Sequence, residues 1–262
     1  MTERMLALAI DAAREAGAIA MRHFRADPDT WDKGPGQVVT QADIEIDRHL
    51  HDRLMIDPAT AWLSEETEDD LVRLKAERLW IVDPIDGTRS FVEGRPEFTI
   101  SIALADRSGP LVGVVFNPAT GQLYEAARGA GARLNGASLT MPARSGIDGA
   151  SIVVSAGENR RRNFAAMFTS AEVTTVGSLA YKLARVAASD FDAFFSWRKA
   201  NDWDIAAAAL ILAEAGGELS DANGEPIRLN DADTRHQGLI AAASPLHGEL
   251  VRHSRERLAA GR

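Results

Sequence analysis

The feature that most constrains the fold of this chain is a short apolar stretch that ends in carboxylates. Residues 79–82, Leu-Trp-Ile-Val, are closed by a Pro and a Gly within a few positions, so they predict a buried β-strand rather than a helix. Pro84 holds Asp83 in an extended conformation. Gly87 allows a tight turn, so Asp86 can fold back toward Asp83. The strand therefore delivers two acidic side chains to one place.

Two carboxylates placed in this way repel each other, and no Lys or Arg lies between them in the sequence to neutralise the pair. Near a protein core, each would cost several kcal/mol or take up a proton unless a cation is bound. The local ligands are oxygen atoms, with no Cys in the chain and no His close by, which favours Mg²⁺, with Mn²⁺ as a substitute, over Zn²⁺. An acidic surface turn after a strand is the alternative that these residues leave open.

The charge balance limits the partners of the chain. Its 262 residues carry 29 Lys and Arg against 38 Asp and Glu, a net charge of -9, which argues against a nucleic-acid polymer or an anionic membrane as the principal partner. A small phosphorylated substrate is compatible with this charge if metal ions are bound. Because there is no Cys, no signal-like N-terminus and no apolar run long enough to span a bilayer, we expect a cytoplasmic protein.

Two helices are predicted to open the chain. Apolar residues at helical spacing predict the first over residues 2–24 and the second from about Thr40. The pattern Thr40-Gln41-Ala42-Asp43 has the form of a capping box, in which Asp43 accepts a backbone hydrogen bond. Residues 27–36, with two Pro and two Gly, are predicted to be a loop.

Another acidic pair follows a predicted strand. Glu65 and Glu66 come directly after the apolar residues 61–63, as Asp83 comes after its own strand. We therefore expect the two strand ends to lie side by side in parallel. Taken alone, the acid run that contains this pair is typical of a solvated face.

A further acidic cluster, Asn201-Asp202-Trp203-Asp204, stands immediately before an Ala-rich helix predicted over residues 205–215. One interpretation is structural, with Asp202 or Asp204 as the N-cap of the helix. The other is functional, because a carboxylate at the start of a helix can be aimed into a cleft and complete a metal site. The residues alone leave both interpretations open.

The pattern of predicted strands and helices changes near residue 145. Residues 97–126 predict strands joined by turns, and therefore an antiparallel sheet, whereas residues 151–220 alternate strands with helices, which indicates a more parallel arrangement. We therefore predict an α+β N-terminal subdomain at 1–145 that carries the antiparallel sheet and the metal site. An α/β C-terminal subdomain at 146–262 is predicted to complete the active site.

Four motifs occur in an order that resembles the inositol monophosphatase superfamily of metal-dependent phosphomonoesterases. They are VVTQAD at 38–43, SEE at 64–66, IVDPIDGTRSF at 81–91 and WDIAAA at 203–208. The resemblance implies the α/β class, a layered α/β/α/β/α sugar-phosphatase fold and a homodimer. It also implies a Mg²⁺-dependent, lithium-sensitive phosphoric monoester hydrolase.

The resemblance also assigns roles to residues by matching position. It implies that the catalytic metal ions are bound by four carboxylates and one backbone carbonyl, with one further acid in an outer shell. The ligands are Glu65, Asp83, Asp86, Asp204 and the Ile85 carbonyl, and the outer acid is Glu66. Asp43 and Thr88 are implied to orient and activate the attacking water, and the N–H groups of Gly87 and Thr88 to hold the phosphate.

The substrate depends on a position where this chain departs from the pattern. Superfamily members that cleave inositol phosphates carry a Glu seven residues before the Asp of the last motif, and this chain has Trp197 there. Arg198 and Lys199 follow, and we expect them to bind a second phosphate, with Trp197 against a nucleotide base. The alternative is that both cations are simply exposed at a strand end.

The favoured hypothesis is therefore a phosphatase in which metal-activated water attacks a small phosphomonoester, with a preference for 3'(2'),5'-bisphosphate nucleotides, as in the conversion of 3'-phosphoadenosine 5'-phosphate to AMP. Inositol 1-phosphate, histidinol phosphate and fructose 1,6-bisphosphate are the alternative substrates. A non-catalytic regulatory binding protein on the same fold is the alternative from another class. The complete acid set argues against it.

Overall fold

The computed structural model describes residues 2–26, 30–34 and 37–260, and within these ranges helices and sheets alternate in layers. The order of the layers is α/β/α/β/α, as the resemblance implied. No helix among the described residues combines the length and the apolar character needed to cross a lipid bilayer.

The N-terminal segment forms two helices joined by a hairpin. Helix α1 spans Thr2–His23 and helix α2 spans Gln41–Leu54, close to the predicted positions. Between them, β1 (Thr30–Gly34) and β2 (Gln37–Thr40) pair antiparallel, so the loop prediction was wrong where it covers β1. That strand lacks the alternation of apolar and polar residues that predicts one. Residues 27–29 and 35–36 of the predicted loop lie outside the described ranges.

The larger sheet carries two of the acidic motifs. Its seven strands are, in spatial order, β3 (Thr60–Ser64), β4 (Arg78–Asp86), β5 (Thr99–Asp106), β6 (Gly109–Asn117), β7 (Gln122–Ala127), β8 (Ala132–Leu134) and β9 (Ala137–Ser138). A 3-10 helix at Val72–Lys75 precedes β4, and the short helix α3 (Thr88–Val92) follows it. Strands β3 and β4 are parallel, and the later pairs are antiparallel, as predicted.

Strand β4 differs from its prediction in where it ends. It continues past the apolar run to Asp86, and its register with β5 becomes irregular between Asp83 and Asp86. Trp80 and Val82 face the core under α1 and α2, whereas the alternate residues of the strand face the opposite layer. Burial on both faces explains why this strand is apolar without alternation.

The second half of the chain builds a five-stranded sheet and its helices. In chain order the elements are β10 (Ser151–Val154), α4 (Ala156–Arg162), α5 (Phe164–Met167), β11 (Glu172–Thr175), α6 (Leu179–Ala187), β12 (Ala193–Asn201), α7 (Asp202–Glu214), β13 (Glu218–Ser220), β14 (Arg235–Ala242) and α8 (Leu246–Ala260). The spatial order is β11-β10-β12-β14-β13. Strands β10, β11 and β12 are parallel, but β14 is antiparallel to both its neighbours, so this half is mixed rather than wholly parallel.

Helices α6 and α7 form the middle layer between the two sheets. Their buried residues join apolar side chains from both sheets in one core, and α7 buries side chains around most of its circumference. An apolar helix of this kind, without a polar face, is typical of a layer covered on both sides. The division predicted near residue 145 stays a prediction.

Candidate metal centre

Parallel pairing of β3 and β4 brings the first two acids together. Ser64 is the register partner of Val82, and the N–H of Glu65 donates to the Val82 carbonyl oxygen at 3.3 Å. Glu65 follows the last residue of β3, and Asp83 is the next residue of β4, so the two acids lie side by side. The predicted parallel placement of these strand ends is confirmed.

The start of α7 brings a third acid to the same place. Asp204 lies in the first turn of this helix and forms a capping box with Asn201, whose N–H donates to Oδ2 of Asp204 at 2.7 Å. The N-cap is thus Asn201, and the prediction that Asp202 or Asp204 is the N-cap was wrong. Asp204 is instead the third residue of the helix, and the capping box occupies one of its carboxylate oxygens. The position of Asp204 beside the strand ends is what the functional interpretation requires.

Asp202, the neighbouring acid, is used differently. It is fully buried, its Oδ2 accepts the N–H of Asn230 at 2.7 Å, and its Oδ1 lies 2.7 Å from Nε2 of His236. These contacts hold the loop before β14 against the start of α7. Asp202 is therefore a structural residue that fixes the helix carrying the third acid.

Carboxylate oxygens from three of the predicted ligands converge. One oxygen each from Glu65, Asp83 and Asp204 lies within 4.8 Å of the other two. Oδ1 of Asp83 accepts the N–H of Ile85 at 3.1 Å, whereas its Oδ2 is buried and accepts no hydrogen bond from any described residue. A buried carboxylate oxygen without a donor, facing two other carboxylates, fits a cation. Because the donors are all carboxylate oxygens, the set fits Mg²⁺ or Mn²⁺.

The raised pKa values of two of these acids also support a bound cation. Burial, followed by the nearby charge of Glu65, raises the pKa of Asp83 well above its usual value. The pKa of Asp204 is also raised, first by burial and then by the charges of Asp86 and Glu65. Each acid thus resists ionisation because of its burial and of the charges around it, which is the condition that a bound divalent cation relieves.

Asp86 lies close to the three but is held by a helix. Its Oδ1 accepts the N–H of Leu179 at 3.0 Å, and its Oδ2 accepts the N–H of Ala180 at 2.6 Å together with the hydroxyl of Ser178. These donors form the N-terminus of α6, where a negative charge is favoured. Ser178 caps the same helix, because its hydroxyl oxygen accepts the N–H of Tyr181 at 3.0 Å.

The two residues implied to activate water lie next to each other. The hydroxyl of Thr88 is 3.0 Å from the Ile85 carbonyl oxygen and 3.4 Å from Oδ1 of Asp43. Oδ2 of Asp43 accepts the N–H and the hydroxyl of Thr40 at 2.8 and 2.6 Å, so the predicted capping box of α2 is confirmed. Asp43 therefore has one oxygen that fixes its own helix and another directed toward Thr88.

These acids line a cleft of about 490 Å³ that lies between the two halves of the chain. Gly87 is part of its wall and has a φ of 96°, and a Cβ there would lie 2.8 Å from the Glu97 carbonyl oxygen, so the turn requires glycine. Arg198 and Lys199 also line the cleft, as predicted.

Glu66 is the remaining acid of the predicted site. Its N–H donates to Oγ of Ser64 at 3.3 Å, and its role as an outer-shell acid of the metal site stays a prediction.

The predicted position of Trp197 was wrong. Its ring packs on Phe195, with the centroids 5.1 Å apart, and on Phe164, and its Nε1 donates to Oγ of Ser254 at 2.8 Å. The side chain therefore belongs to the core on the outer face of the second sheet and is not part of the cleft wall. Successive strand residues face opposite ways, and a sequence does not tell which face is the cleft.

Sequence reasoning missed a buried cation in the cleft floor. Lys182 on α6 is almost completely buried, and its Nζ donates to the carbonyl oxygens of Ser178 and Val176 at 2.7 and 3.2 Å. Burial, which the charge of Asp86 partly offsets, lowers the pKa of Lys182 to about 8. The signal available in the sequence was the position of Lys182 among the apolar residues of α6, LAYKLARVA.

Sequence reasoning also missed a buried arginine that joins the two halves near the site. Arg73 makes a two-pronged ion pair with Asp69, its NH1 donates to Oδ1 of Asn230 at 2.5 Å, and its NH2 donates to the Asp231 carbonyl oxygen at 3.0 Å. Asn230 in turn bonds Asp202. The loop that follows Glu65 is thereby tied to the start of α7.

Comparison with known proteins places this geometry in a family. The sequence matches the profile described as the inositol monophosphatase family over residues 1–259. An inositol-1-monophosphatase of Rhizobium meliloti is 42% identical over 202 residues, which cover 73% of this chain and 75% of that protein. A fructose-1,6-bisphosphatase/inositol-1-monophosphatase of Thermotoga maritima is 32% identical over 256 residues, 94% of each chain.

Solved structures agree with the sequence comparison. An IMPase of Thermotoga maritima superposes with a TM-score of 0.87 at 29% identity, covering 97% of this chain and 98% of its own. A suhB protein of Bartonella henselae gives a TM-score of 0.83 at 29% identity, covering 95% and 97%. The chain belongs to the inositol monophosphatase family, and it is therefore an enzyme of the phosphoric monoester hydrolase class.

Proposed function

We propose that this enzyme hydrolyses small phosphomonoesters whose leaving group carries a second phosphate, with 3'-phosphoadenosine 5'-phosphate as the preferred substrate, in a Mg²⁺-dependent reaction. The observation that carries the proposal is the composition of the cleft. Carboxylates that fit a divalent cation line the same cavity of about 490 Å³ as the two cations Arg198 and Lys199.

The metal ions are expected at the acidic end of the cleft. Glu65, Asp83 and Asp204 supply converging oxygens, and Asp86 and the Ile85 carbonyl lie next to them. When bound, Mg²⁺ neutralises the charge of the phosphate, lowers the pKa of water and stabilises the leaving oxygen. Mn²⁺ has the same preference for oxygen ligands and is expected to substitute.

The chain's own residues position the water and the phosphate. Thr88, held between the Ile85 carbonyl and Asp43, orients the attacking water through its hydroxyl, and Asp43 receives the proton that the water gives up. The N–H groups of Gly87 and Thr88 hold the phosphoryl oxygens. The water oxygen forms the new P–O bond, the ester P–O bond breaks, and the leaving alkoxide takes up a proton, giving inorganic phosphate and an alcohol.

The substrate preference rests on Arg198 and Lys199, two cations in the lining of a cleft that belongs to an acidic protein. The proposed preference does not include stacking of a nucleotide base on Trp197, because that side chain packs away from the cleft. Inositol 1-phosphate is the second candidate, because relatives at 42% and 34% identity bear inositol monophosphatase names. Against it stands Trp197, which occupies the position of the inositol-binding Glu and packs away from the cleft.

Phosphate release from the purified protein tests this proposal. The substrates are adenosine 3',5'-bisphosphate, fructose 1,6-bisphosphate, inositol 1-phosphate and histidinol phosphate, each with Mg²⁺, with EDTA and with added Li⁺. We expect turnover only with Mg²⁺, inhibition by Li⁺, and the highest kcat/KM for the nucleotide. Turnover in EDTA would contradict the metal dependence, and a higher kcat/KM for inositol 1-phosphate would replace the first substrate with the second. The homodimer and the cytoplasmic location stay predictions.

A further inference from the structure

The cleft lining includes an arginine, Arg160, that no motif of the sequence marked. We call the part of the cleft at Arg160 and Arg198 its basic end. Arg160, on α4, lines the cleft together with Arg198, on β12. Both side chains are exposed to solvent, and neither makes a hydrogen bond or an ion pair through its guanidinium with any residue in the described ranges. Both guanidinium groups thus have donors that are available to bind an anion in the cleft.

The backbone that carries Arg198 is held in an unusual shape. The pairing of β12 with β14 is regular up to Ser196 and resumes at Lys199, so the residues between them form a bulge. Opposite the bulge, Gly238 has a φ of 73°, and a Cβ there would lie 2.8 Å from the Ser196 carbonyl oxygen. A bulge of this kind redirects side chains and is frequent beside active sites.

A buried carboxylate fixes the bulge from below. Glu158 is 1% exposed, accepts the hydroxyl of Ser196 at 2.6 Å and accepts the N–H of Trp197 at 2.8 Å. Oγ of Ser196 in turn accepts the N–H of Arg198 at 3.0 Å. Since Trp197 is anchored in the core by its indole, Arg198 is left on the cleft side.

The three consecutive arginines of α4 have different surroundings, which provides a matched control. Arg162 forms an ion pair with Glu158 at 3.4 Å and lies 5.0 Å from the ring centre of Trp197. Arg160 lines the cleft, and its NH2 lies 3.8 Å from where a Cβ of Gly157 would be. Arg161 has neither role: it is exposed and outside the cleft lining. Only Arg160 of the three can contact a ligand in the cleft.

We propose that Arg160 and Arg198 together form the subsite for the second phosphate of the substrate, a proposal that rests on the proposed phosphatase function. Guanidinium groups pair with phosphate oxygens through two parallel hydrogen bonds, so two of them can hold one phosphate from both sides. The acidic end then binds the phosphate that is cleaved, and the basic end binds the one that stays. This arrangement selects bisphosphates over monophosphates by charge.

Lys199 has a smaller part in this subsite. The pKa of Asp233 is lowered to about 2 mainly by hydrogen bonds from Arg235, and the charge of Lys199 contributes to the same shift. Lys199 is therefore close enough to Asp233 for part of its charge to be compensated. The guanidinium groups of the two arginines have no ion-pair partner in the described ranges, so we expect them to dominate recognition of the second phosphate.

The test compares single alanine variants on a bisphosphate and on a monophosphate. For Arg160→Ala and for Arg198→Ala, the ratio of kcat/KM for adenosine 3',5'-bisphosphate to that for inositol 1-phosphate is expected to fall about tenfold or more, through a higher KM. Lys199→Ala is expected to lower this ratio about twofold to threefold, and the control Arg161→Ala to leave it unaltered. Fructose 1,6-bisphosphate shows whether the subsite accepts a phosphate on a sugar as well as on a nucleotide.

Two results would overturn the subsite. One is an equal change of the kcat/KM ratio in Arg160→Ala and Arg161→Ala, which would show that only the overall positive charge of this surface matters. The other is an equal loss on both substrates. If the wild-type protein hydrolyses none of the substrates, the proposed function fails, and calorimetric binding of adenosine 3',5'-bisphosphate then tests the subsite separately. Weaker binding in Arg160→Ala than in Arg161→Ala supports it, and equal binding refutes it.

Discussion

The acidic and the basic end of the cleft are built in opposite ways. At the acidic end, Asp83 lies in a buried strand, and Asp43 and Asp204 each commit one oxygen to a helix cap. At the basic end, Arg160 and Arg198 are exposed, and their guanidinium groups have no partner among the residues that the structure describes. The proposed metal ligands are therefore fixed by the fold, whereas the side chains proposed to select the substrate project freely from it.

The largest expected effect comes from removing charge at the fixed end. Asp83→Asn preserves the shape of the side chain but deletes the charge of the acid with the buried oxygen that accepts no hydrogen bond. Because the metal ions depend on that oxygen, we expect kcat with Mg²⁺ to fall about a thousandfold or more. This variant is easier to interpret than Asp86→Asn, because Asp86→Asn would also disturb three hydrogen bonds to the N-terminus of α6.

The same variant separates function from stability. In EDTA, Asp83→Asn is expected to melt at a higher temperature than the wild type, since it removes one of several repelling buried charges. Circular dichroism melts with and without Mg²⁺ measure this. Full activity, or a lower melting temperature in EDTA with an unchanged Mg²⁺ response, would show that Asp83 is not part of a metal site.

A smaller effect is expected from pH. The pKa values of Asp83 and Asp204 are raised in the folded protein, so above the usual carboxylate range, about pH 4, the folded state binds more protons than the unfolded state. The contribution of these acids to the free energy of unfolding is therefore full at low pH and is lost as pH rises through their raised pKa values. In EDTA the melting temperature should fall over this range.

Mg²⁺ should remove that dependence. At a concentration about a hundredfold above its dissociation constant, a ligand specific to the folded state adds about 2.7 kcal/mol to the free energy of unfolding, and Mg²⁺ binds the ionised acids. We expect the Mg²⁺-induced rise in melting temperature to grow with pH. A rise that is the same at pH 5 and pH 8 would contradict the raised pKa values.

The smallest expected effect concerns the bulge that connects the two ends. Glu158→Gln keeps a hydrogen bond to Ser196 but replaces a charged acceptor at Trp197 with a neutral one. We expect a loss of about 1 kcal/mol in the free energy of unfolding and a KM for adenosine 3',5'-bisphosphate that is about threefold higher. Glu172→Gln, an exposed position on β11 of the same sheet, is the control. Equal KM changes in both variants would show that Glu158 does not contribute to substrate recognition.

The same contrast explains what could be predicted from the sequence. Local rules predicted three features: the apolar strand that carries Asp83, its parallel neighbour before Glu65 and the helix that begins next to Asp204. These rules use apolar runs, turn residues and helix starts. The layered fold and the family followed from the order of the four motifs. The strands and the helix start depend on residues within a few positions of each other, whereas the family was recognised from motifs spread over residues 38–208.

The errors concern features that depend on distant residues. Trp197 was placed in the cleft because the bulge, which Glu158 holds from another helix, is not visible in the sequence of β12. Lys182 was missed because its burial requires both sheets. Strand β14 was not predicted, and its antiparallel pairing with β12 made the second sheet mixed. Each of these features is determined by tertiary contacts, which cannot be predicted from local sequence patterns.

The most direct measurement is anomalous diffraction from crystals of the enzyme soaked in Mn²⁺ at a concentration that supports turnover. We expect at least one strong peak within about 2.5 Å of carboxylate oxygens from Glu65, Asp83 and Asp204. The peak should be lost in Asp83→Asn crystals. Mn²⁺ bound elsewhere, with these three carboxylates apart from it in an active enzyme, would contradict the assignment of the metal centre.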